Sequence, residues 1–170
     1  MSAYRRYFVD QEQILFLTLV TAGRRPWLSI QGAREQLRDA LRATQAKHPF
    51  RHYGYVLLND HLHLLISAQQ GTQIPRIVGS FKQAVLARLK RLPQNIAGRA
   101  WQRRYYDHII RDESDFARHL DYLHYNPVKH GLVEHAKDWE WSSLVSWQAR
   151  GVYQPDWGSV EPASIRNLTE

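Results

Sequence analysis

The chain of 170 residues is 44% hydrophobic and 12% aromatic, which indicates one folded domain with a sizeable core. It contains no cysteine, so disulfides, thiolate catalysis and cysteine-ligated metal centres are excluded. Its formal net charge of +7, from 23 lysines and arginines against 16 acidic residues, favours a polyanionic partner, of which nucleic acid is the commonest.

The N-terminal part of the chain predicts a strand and no targeting segment. Its first six residues lack the apolar stretch and the cleavage site of a secretory signal. No apolar run reaches the length of about 18 residues that a transmembrane helix needs, so we expect a cytoplasmic protein without a membrane anchor. Residues 13–20 are apolar and are followed by Gly23, a pattern typical of a short buried strand.

A helix with a basic stripe is predicted over residues 29–47. Arg34, Arg38 and Arg42 recur every four residues and therefore share one side of that helix. The stripe is equally compatible with a solvated helix face and with a face turned towards DNA.

A hairpin follows, with strands over residues 52–58 and 61–68. Alternate side chains of a strand point to opposite faces, so His61 and His63 share one face while Leu62 points into the core. The spacing brings two imidazoles side by side, in an arrangement that a divalent metal can use. Taken alone, a pair of this kind is more often structural or solvent-facing.

The second half of the chain predicts a helix, a strand and a further helix. Thr72 can cap the first of these helices, whose apolar residues keep helical spacing as far as Leu89. Residues 101–110 have the pattern of a strand that opens with a basic and aromatic cluster. The last main helix is expected from about residue 112 or 114 to residue 125, because Pro127 disfavours helical geometry at the residue before it.

The predicted order is therefore β-α-β-β-α-β-α with a C-terminal extension. The first six elements match the ferredoxin-like α+β pattern, in which helices pack on one side of an antiparallel sheet. We assign residues 1–150 to a single domain and residues 151–170 to a C-terminal tail, and we expect the tryptophan-rich segment from Trp139 onwards to pack on the core as short helices or loops.

One face of the last helix carries the groups best suited to chemistry. On a helical wheel Tyr122 and Asn126 lie one turn apart, on a polar face that also holds Asp115 and His119. Tyr125 points well away from that face, so the wheel favours Tyr122 as the partner of Asn126. By default, Asp115 and His119 are solvated helix residues.

Two imidazoles and one amide oxygen would make a mixed nitrogen and oxygen site for a divalent metal. Held by His61, His63 and Asn126, the ion would be magnesium or manganese, although imidazoles also admit zinc, nickel or cobalt. It would polarise a phosphoryl oxygen for attack. A tyrosine hydroxyl, with a pKa of about 10, needs such help or a nearby base or cation. Attack by Tyr122 on a phosphodiester would give a phosphotyrosine and a free hydroxyl.

At these residues the chain resembles a known family. Residues 59–65, Asn-Asp-His-Leu-His-Leu-Leu, are similar to the HUH motif (histidine, bulky hydrophobe, histidine) of single-tyrosine transposases of the IS200-like class. Residues 101–113 and 118–133, which include Asn-Pro-Val-Lys-His-Gly, resemble the branch associated with repetitive extragenic palindromes (REPs). The resemblance extends over about residues 8–147.

The resemblance implies an HUH nuclease fold and a metal-dependent endonuclease and strand transferase. This enzyme would act on single-stranded DNA at REP hairpins through a 5′-phosphotyrosine. The two histidines of the motif match the metal ligands, and Tyr122 matches the nucleophile. In the broader class a glutamine four residues after the tyrosine completes the metal site. Asn126 stands at that place here, and His119 or His124 is the alternative third ligand.

The partner implied is a bacterial DNA hairpin with a short single-stranded foot, which would make the protein nucleoid-associated. Cations bind phosphates and aromatic rings stack on unpaired bases, and the candidates for these roles are Arg5, Arg6, Arg103, Arg104, Tyr105, Lys129 and His130. For Tyr105 and Trp101, core packing is the slightly favoured alternative. This branch is expected to act as a monomer, whereas the broader class works as dimers.

Two other functions remain open at this point. The first is a sequence-specific protein that binds palindromic repeats without catalysis. The second is a metal-dependent hydrolase that acts through water, which is less favoured because the one carboxylate beside the histidine pair, Asp60, is expected to face away.

Overall fold

Within residues 4, 7, 12–92, 96, 99–166 and 168, which the computed structural model describes, four strands form one antiparallel sheet. The strands are β1 (Ile14–Val20), β2 (Phe50–Leu57), β3 (His61–Ala68) and β4 (Tyr106–Ile109). Their order across the sheet is β2-β3-β1-β4. The α+β fold predicted from the pattern of elements is confirmed.

In the same described residues, four helices cover both faces of this sheet, namely α1 (Ala33–Lys47), α2 (Ile74–Leu89), α3 (Glu113–Lys129) and α4 (Leu144–Ala149). Helices α1 and α2 pack with one core cluster, while α3, α4 and the C-terminal segment pack with a second cluster. Helices α1 and α2, the two helices of the first six elements, therefore lie on one side of the sheet as the ferredoxin-like pattern predicts, and α3 and α4 cover the other side. β1 and β3 are central strands whose side chains are buried on both faces, and helices cover each face accordingly.

Helix α3 runs through Pro127, where the sequence predicts its end. Proline lacks an N–H group, but in the last turn this removes one backbone hydrogen bond only. The turn is held by the His130 N–H, which donates to the Asn126 carbonyl over 3.0 Å. Asn126 is therefore helical, and Lys129 continues the face that holds Tyr122.

Other predicted boundaries shift by a few residues. Helix α1 begins at Ala33, since Trp27–Ser29 form a separate 3₁₀ turn. Helix α2 is preceded by Gln73 and has no side-chain cap, so Thr72 does not have the predicted capping role. The strand expected over residues 101–110 is reduced to β4, preceded by a single bridge between Thr21 and Trp101.

The basic stripe of α1 serves mainly to pack the C-terminal tryptophans. The Arg34 guanidinium lies 4.9 Å from the ring centroid of Trp139, and that of Arg38 lies 5.5 Å from the ring of Trp141. Cations over aromatic faces are attracted by the ring quadrupole. Arg38 and Arg42 are nevertheless both exposed, and Arg42 pairs with an exposed aspartate.

The C-terminal segment is tied to α3 by a buried carboxylate. Asp121 accepts hydrogen bonds from the hydroxyls of Tyr4 (3.0 Å), Tyr153 (2.9 Å) and Ser164 (2.7 Å). Burial raises the pKa of Asp121, and the three donors act against that rise. Trp147 reinforces this layer, with its indole N–H donating to the Tyr53 carbonyl over 2.8 Å. In the described part of the chain, no helix is long and apolar enough to cross a membrane.

Substitution of Leu62 tests the two-sided core. Its side chain is 0% exposed and lies in the cluster beneath α1 and α2. Leu62→Ala should lower the free energy of unfolding by about 2–5 kcal/mol, because it removes apolar contacts and leaves a cavity. The control is Leu86→Ala on α2, where the leucine is 37% exposed and the loss should be well below that range. Urea unfolding measures both, and equal losses would contradict this packing.

Buried His124 should make the folded state less stable in acid. The His124 ring lies between Ser143 Oγ (2.8 Å) and Tyr153 Oη (3.3 Å), and burial lowers its pKa to about 3. The unfolded chain binds a proton at this residue below a pH of about 6.5, so its contribution to stability is lost as the pH falls from about 6.5 to about 3. The expected slope is up to about 1.4 kcal/mol per pH unit.

Urea unfolding of the wild type and of His124→Gln between pH 7 and pH 5 measures this effect. The variant should be less stable at pH 7 and should lose stability less steeply with acid. The same slope in both proteins would show that His124 does not cause the lability.

Candidate active site

Two histidines of β3 form the centre of the candidate site. The ring centroids of His61 and His63 are 5.0 Å apart, on the face of the sheet that α3 covers. Leu62 points to the opposite face and is fully buried there. This is the arrangement that strand alternation predicts.

Each imidazole is held through its Nδ1 atom. The His61 Nδ1 atom lies 2.6 Å from Asp60 Oδ1, and His63 Nδ1 lies 2.9 Å from Thr18 Oγ1. Thr18 lies directly opposite His63 in the pairing of β1 with β3. Because a carboxylate only accepts hydrogen bonds, the His61 Nδ1 atom carries the proton and Nε2 keeps the lone pair. Histidines that bind metals are commonly oriented in this way.

Asp60 does not face away from the histidine pair, contrary to the prediction. It belongs to the turn before β3, where strand alternation does not govern the direction of a side chain. Partial burial acts to raise the pKa of its carboxyl, but the hydrogen bond from His61 and the ion pair with Arg24 outweigh burial and hold that pKa below its ordinary value.

His63 is held in its neutral form. Burial, and then the neighbouring His61, His130 and Lys129, lower the pKa of its imidazole well below the ordinary value. A neutral imidazole is the form that binds a metal ion.

Tyr122 and Asn126 lie one turn apart on α3, and both are buried. The Tyr122 ring centroid lies 5.6 Å from that of His63 and 5.9 Å from that of Phe16. Within the part of the chain that the structure describes, His63 Nε2 and both amide atoms of Asn126 are buried without a hydrogen-bond partner. Buried polar atoms normally have one. Their chemistry, imidazole nitrogen and amide oxygen, fits a divalent metal ion.

Lys129 lies against the nucleophile candidate. Its Nζ atom donates a hydrogen bond to the Tyr122 hydroxyl oxygen over 3.1 Å and lies 4.6 Å from the ring centroid. An ammonium group at that distance favours the ionised form of a phenol. The sequence predicts only a DNA contact for Lys129, because its position depends on the continuation of α3 past Pro127. The neighbouring His130 ring lies 5.0 Å from that of His61.

A second group of polar side chains, the histidine–aspartate cluster, comprises His108, Asp115 and His119, with Arg111 against it. His108 Nε2 donates to Asp115 Oδ2 over 2.8 Å, and His119 Nδ1 donates to the Asp115 backbone carbonyl over 2.8 Å. Asp115 and His119 are only 3% and 6% exposed, so they are not solvated helix residues. Potential metal-binding atoms of the two histidines and Asp115 lie within 4.8 Å of one another.

Asp115 carries the negative charge of this cluster. Partial burial acts to raise the pKa of its carboxyl, but hydrogen bonds from Arg111 and His108 outweigh burial and hold that pKa far below its ordinary value. For His119, burial is the main cause of a lowered pKa.

Two cavities meet at Tyr122. One, of about 220 Å³, is lined by Tyr122 and His63 together with the histidine–aspartate cluster, Arg118 and Leu168. The other, of about 390 Å³, is lined by Tyr122, Lys129 and His130 with C-terminal residues that include Arg166. Tyr122 and Leu168 are the two residues common to both linings.

The remaining predicted site residues are spread more widely. Arg103 and Arg104 are exposed just before β4, and Tyr105 is half-buried against the core. Trp101 is a core residue, with its ring 5.1 Å from that of Trp27. Arg5 and Arg6 lie outside the described residues.

Of the alternative third ligands, His124 has both ring nitrogens engaged by Ser143 and Tyr153. His119 lies in the histidine–aspartate cluster, with its Nδ1 atom engaged by Asp115. Asn126 keeps its amide atoms free of such contacts among the described residues.

Comparisons with known proteins give consistent results. The family described as "Transposase IS200 like" matches residues 12–126. A REP-associated tyrosine transposase of Escherichia coli (strain K12) is 32% identical over 162 residues, which cover 92% of this chain and 91% of that protein. A Haemophilus influenzae protein, provisionally assigned to the same group, is 34% identical over 175 residues, or 98% of both chains.

A solved structure gives the same relationship in three dimensions. It is that of a REP-associated tyrosine transposase bound to a REP hairpin, with a TM-score of 0.76 and 28% identity over 100% of both chains. Sequence and fold thus agree over nearly the whole length. This chain therefore belongs to the IS200-like transposase family, in its branch of REP-associated tyrosine transposases.

Proposed function

We propose that this chain is a divalent-metal-dependent endonuclease and strand transferase that acts on single-stranded DNA at REP-type hairpins. The reaction would proceed through a 5′-phosphotyrosine on Tyr122. The observation that carries this proposal is that Tyr122 and a buried, neutral His63 line one cavity together with residues of β1, β4 and α3.

The substrate class is supported by charge and by likeness. The net charge of +7 favours a polyanion, and a solved relative with the same fold is bound to a REP hairpin. Exposed basic residues lie next to two of the elements that line these cavities, with Arg103 and Arg104 before β4 and Lys129 and His130 at the end of α3. Such residues suit the phosphates of a folded single strand.

The metal would be held by His61, His63 and Asn126. Magnesium or manganese bound there would polarise a phosphoryl oxygen and orient the scissile phosphate. Asp60 and Thr18 fix the two rings through their Nδ1 atoms, so the Nε2 atoms that would bind the ion are oriented in advance.

The rest of the chemistry belongs to residues of α3. Tyr122 Oη attacks phosphorus, and the bond from phosphorus to the 3′-oxygen breaks. Lys129, which already donates to Oη, stabilises the negative charge of the phenolate during attack and again when the phosphotyrosine is resealed. The phosphotyrosine ester conserves the energy of the broken bond, so strand joining needs no ATP.

Removal of the nucleophile separates cleavage from binding. Tyr122→Phe should form no covalent adduct with hairpin oligonucleotides in the presence of manganese, because it lacks the attacking oxygen, while hairpin affinity should change little. The control is Tyr125→Phe, since Tyr125 lies on another side of α3, and this variant should retain adduct formation. A denaturing protein gel measures the adduct.

Other results have clear meanings. Adduct formation by Tyr122→Phe, lost instead in Tyr125→Phe, would assign the nucleophile to Tyr125. Cleavage without any adduct would indicate a hydrolase that uses water. Tight binding by the wild type without cleavage would favour a DNA-binding protein that has no catalytic role.

Manganese binding tests the third ligand directly. Asn126→Ala should weaken the affinity for Mn²⁺ at least tenfold, because it removes the amide oxygen. His119→Ala should leave that affinity unchanged, since the His119 ring is engaged in the histidine–aspartate cluster. Titration calorimetry without DNA measures both, and the reverse pattern would assign the third ligand to His119.

A further inference from the structure

The histidine–aspartate cluster has no role in the function proposed above, although it lines the same cavity as Tyr122. Its geometry argues against a second metal site. The Arg111 side chain occupies the Asp115 carboxylate, with Nε 3.1 Å from Oδ2 and Nη2 3.3 Å from Oδ1. A metal ion would have to displace this guanidinium and would then lie beside its positive charge.

We propose instead that His119 is the proton-transfer residue of strand cleavage. It would accept the proton of the Tyr122 hydroxyl and deliver it to the 3′-oxygen that leaves. This inference rests on the proposed function, since it assigns a further residue to the same reaction.

The hydrogen bonds of His119 fix the form of its ring. A backbone carbonyl can only accept, so the Nδ1 atom, 2.8 Å from the Asp115 carbonyl oxygen, carries the proton. In the neutral ring the Nε2 atom then keeps a lone pair that can accept a proton. The Asp115 carboxylate, with Oδ1 3.3 Å from Nδ1, would stabilise the imidazolium that forms.

His119 and Tyr122 lie on the same side of α3 and share a neighbouring ring and a cavity. It lies three residues before Tyr122 on α3, so the two side chains are neighbours on the helix surface. Both rings pack on Phe16, with centroids at 5.1 Å for His119 and 5.9 Å for Tyr122. Both also line the cavity of about 220 Å³ that contains His63.

Lys129 cannot be the group that accepts the proton of the Tyr122 hydroxyl. Its ammonium group has no lone pair, so it donates to Tyr122 Oη and cannot receive the phenol proton. Lys129 lines the second cavity, while His119 lines the first. The two residues thus serve different needs of the phenol oxygen: Lys129 stabilises its charge and His119 takes its proton.

The step balances without any further reactant. The bond between Tyr122 Oη and phosphorus forms as the bond from phosphorus to the 3′-oxygen breaks. The phenol proton passes to His119 Nε2 and then to the departing oxygen, which leaves as a 3′-hydroxyl. Strand joining is the reverse, in which His119 takes the proton of the 3′-hydroxyl and returns it to the phenol.

The test is the single-turnover rate of adduct formation with saturating hairpin DNA and manganese. His119→Ala should slow this step about 100-fold or more, with unchanged hairpin affinity, since general acid–base groups contribute on that scale. Added imidazole should restore part of the lost rate. The matched control is His108→Ala, which removes the other histidine of the cluster and should slow the reaction less than tenfold, with no response to imidazole.

Thermal unfolding of each variant shows whether it is folded. If His119→Ala is unfolded, His119→Gln takes its place, because glutamine has a volume similar to that of histidine. An unchanged rate in the folded His119 variant, or equal losses in both histidine variants without imidazole rescue, would overturn the inference and leave the proposed function intact. A wild-type protein that forms no adduct would overturn the proposed function, and this inference with it.

Discussion

The antiparallel pairing of β1 with β3 sets the positions of the two histidines in the proposed active site. Its register places Thr18 opposite His63 and Val20 opposite His61, so the hydroxyl that holds one imidazole is fixed by backbone hydrogen bonds. The same strands bury leucines on the other face, beneath α1 and α2. Burial of one leucine side chain contributes roughly 1.5–3 kcal/mol. That gain is similar to the cost of about 1–3 kcal/mol for a buried polar atom without a partner, such as His63 Nε2.

The site is divided between two rigid parts of the fold. The sheet supplies the two imidazoles with their supporting Asp60 and Thr18, and α3 supplies the tyrosine, the amide and the lysine. A helix fixes the spacing of its own side chains, so Tyr122, Asn126 and Lys129 keep a constant geometry relative to one another. Their distance from the imidazoles depends instead on how α3 packs on the sheet.

Sequence periodicity was sufficient to predict the order of elements, the hairpin and the shared face of the two histidines. These features depend on local alternation and on turn residues, which a single chain displays directly. Helical spacing alone was sufficient to predict that Tyr122 and Asn126 are neighbours on one face of α3. The assignment of Tyr105 and Trp101 to the core or to DNA could not be made this way, because both functions use aromatic residues.

Features that depend on tertiary packing were missed. Pro127 is tolerated because it falls in the last turn of a helix that is buried against the sheet, and only this brings Lys129 to the tyrosine. Asp60 turns towards His61 because a turn residue is free of strand alternation. Asp115 and His119 look like ordinary surface residues on a helical wheel, yet contacts with β4 bury them. No local pattern in the sequence carries this information.

The division of the site between sheet and helix also affects how mutations should be interpreted. Phe116, Leu120 and Leu123 are fully buried in the layer that joins α3 to the sheet. A change of volume in this layer would move three functional groups together relative to the histidine pair. In a mutational screen that measures DNA joining, substitutions at these apolar positions would therefore have effects like those at the proposed active site. In a screen that measures hairpin binding, the same substitutions would behave like those at ordinary core residues.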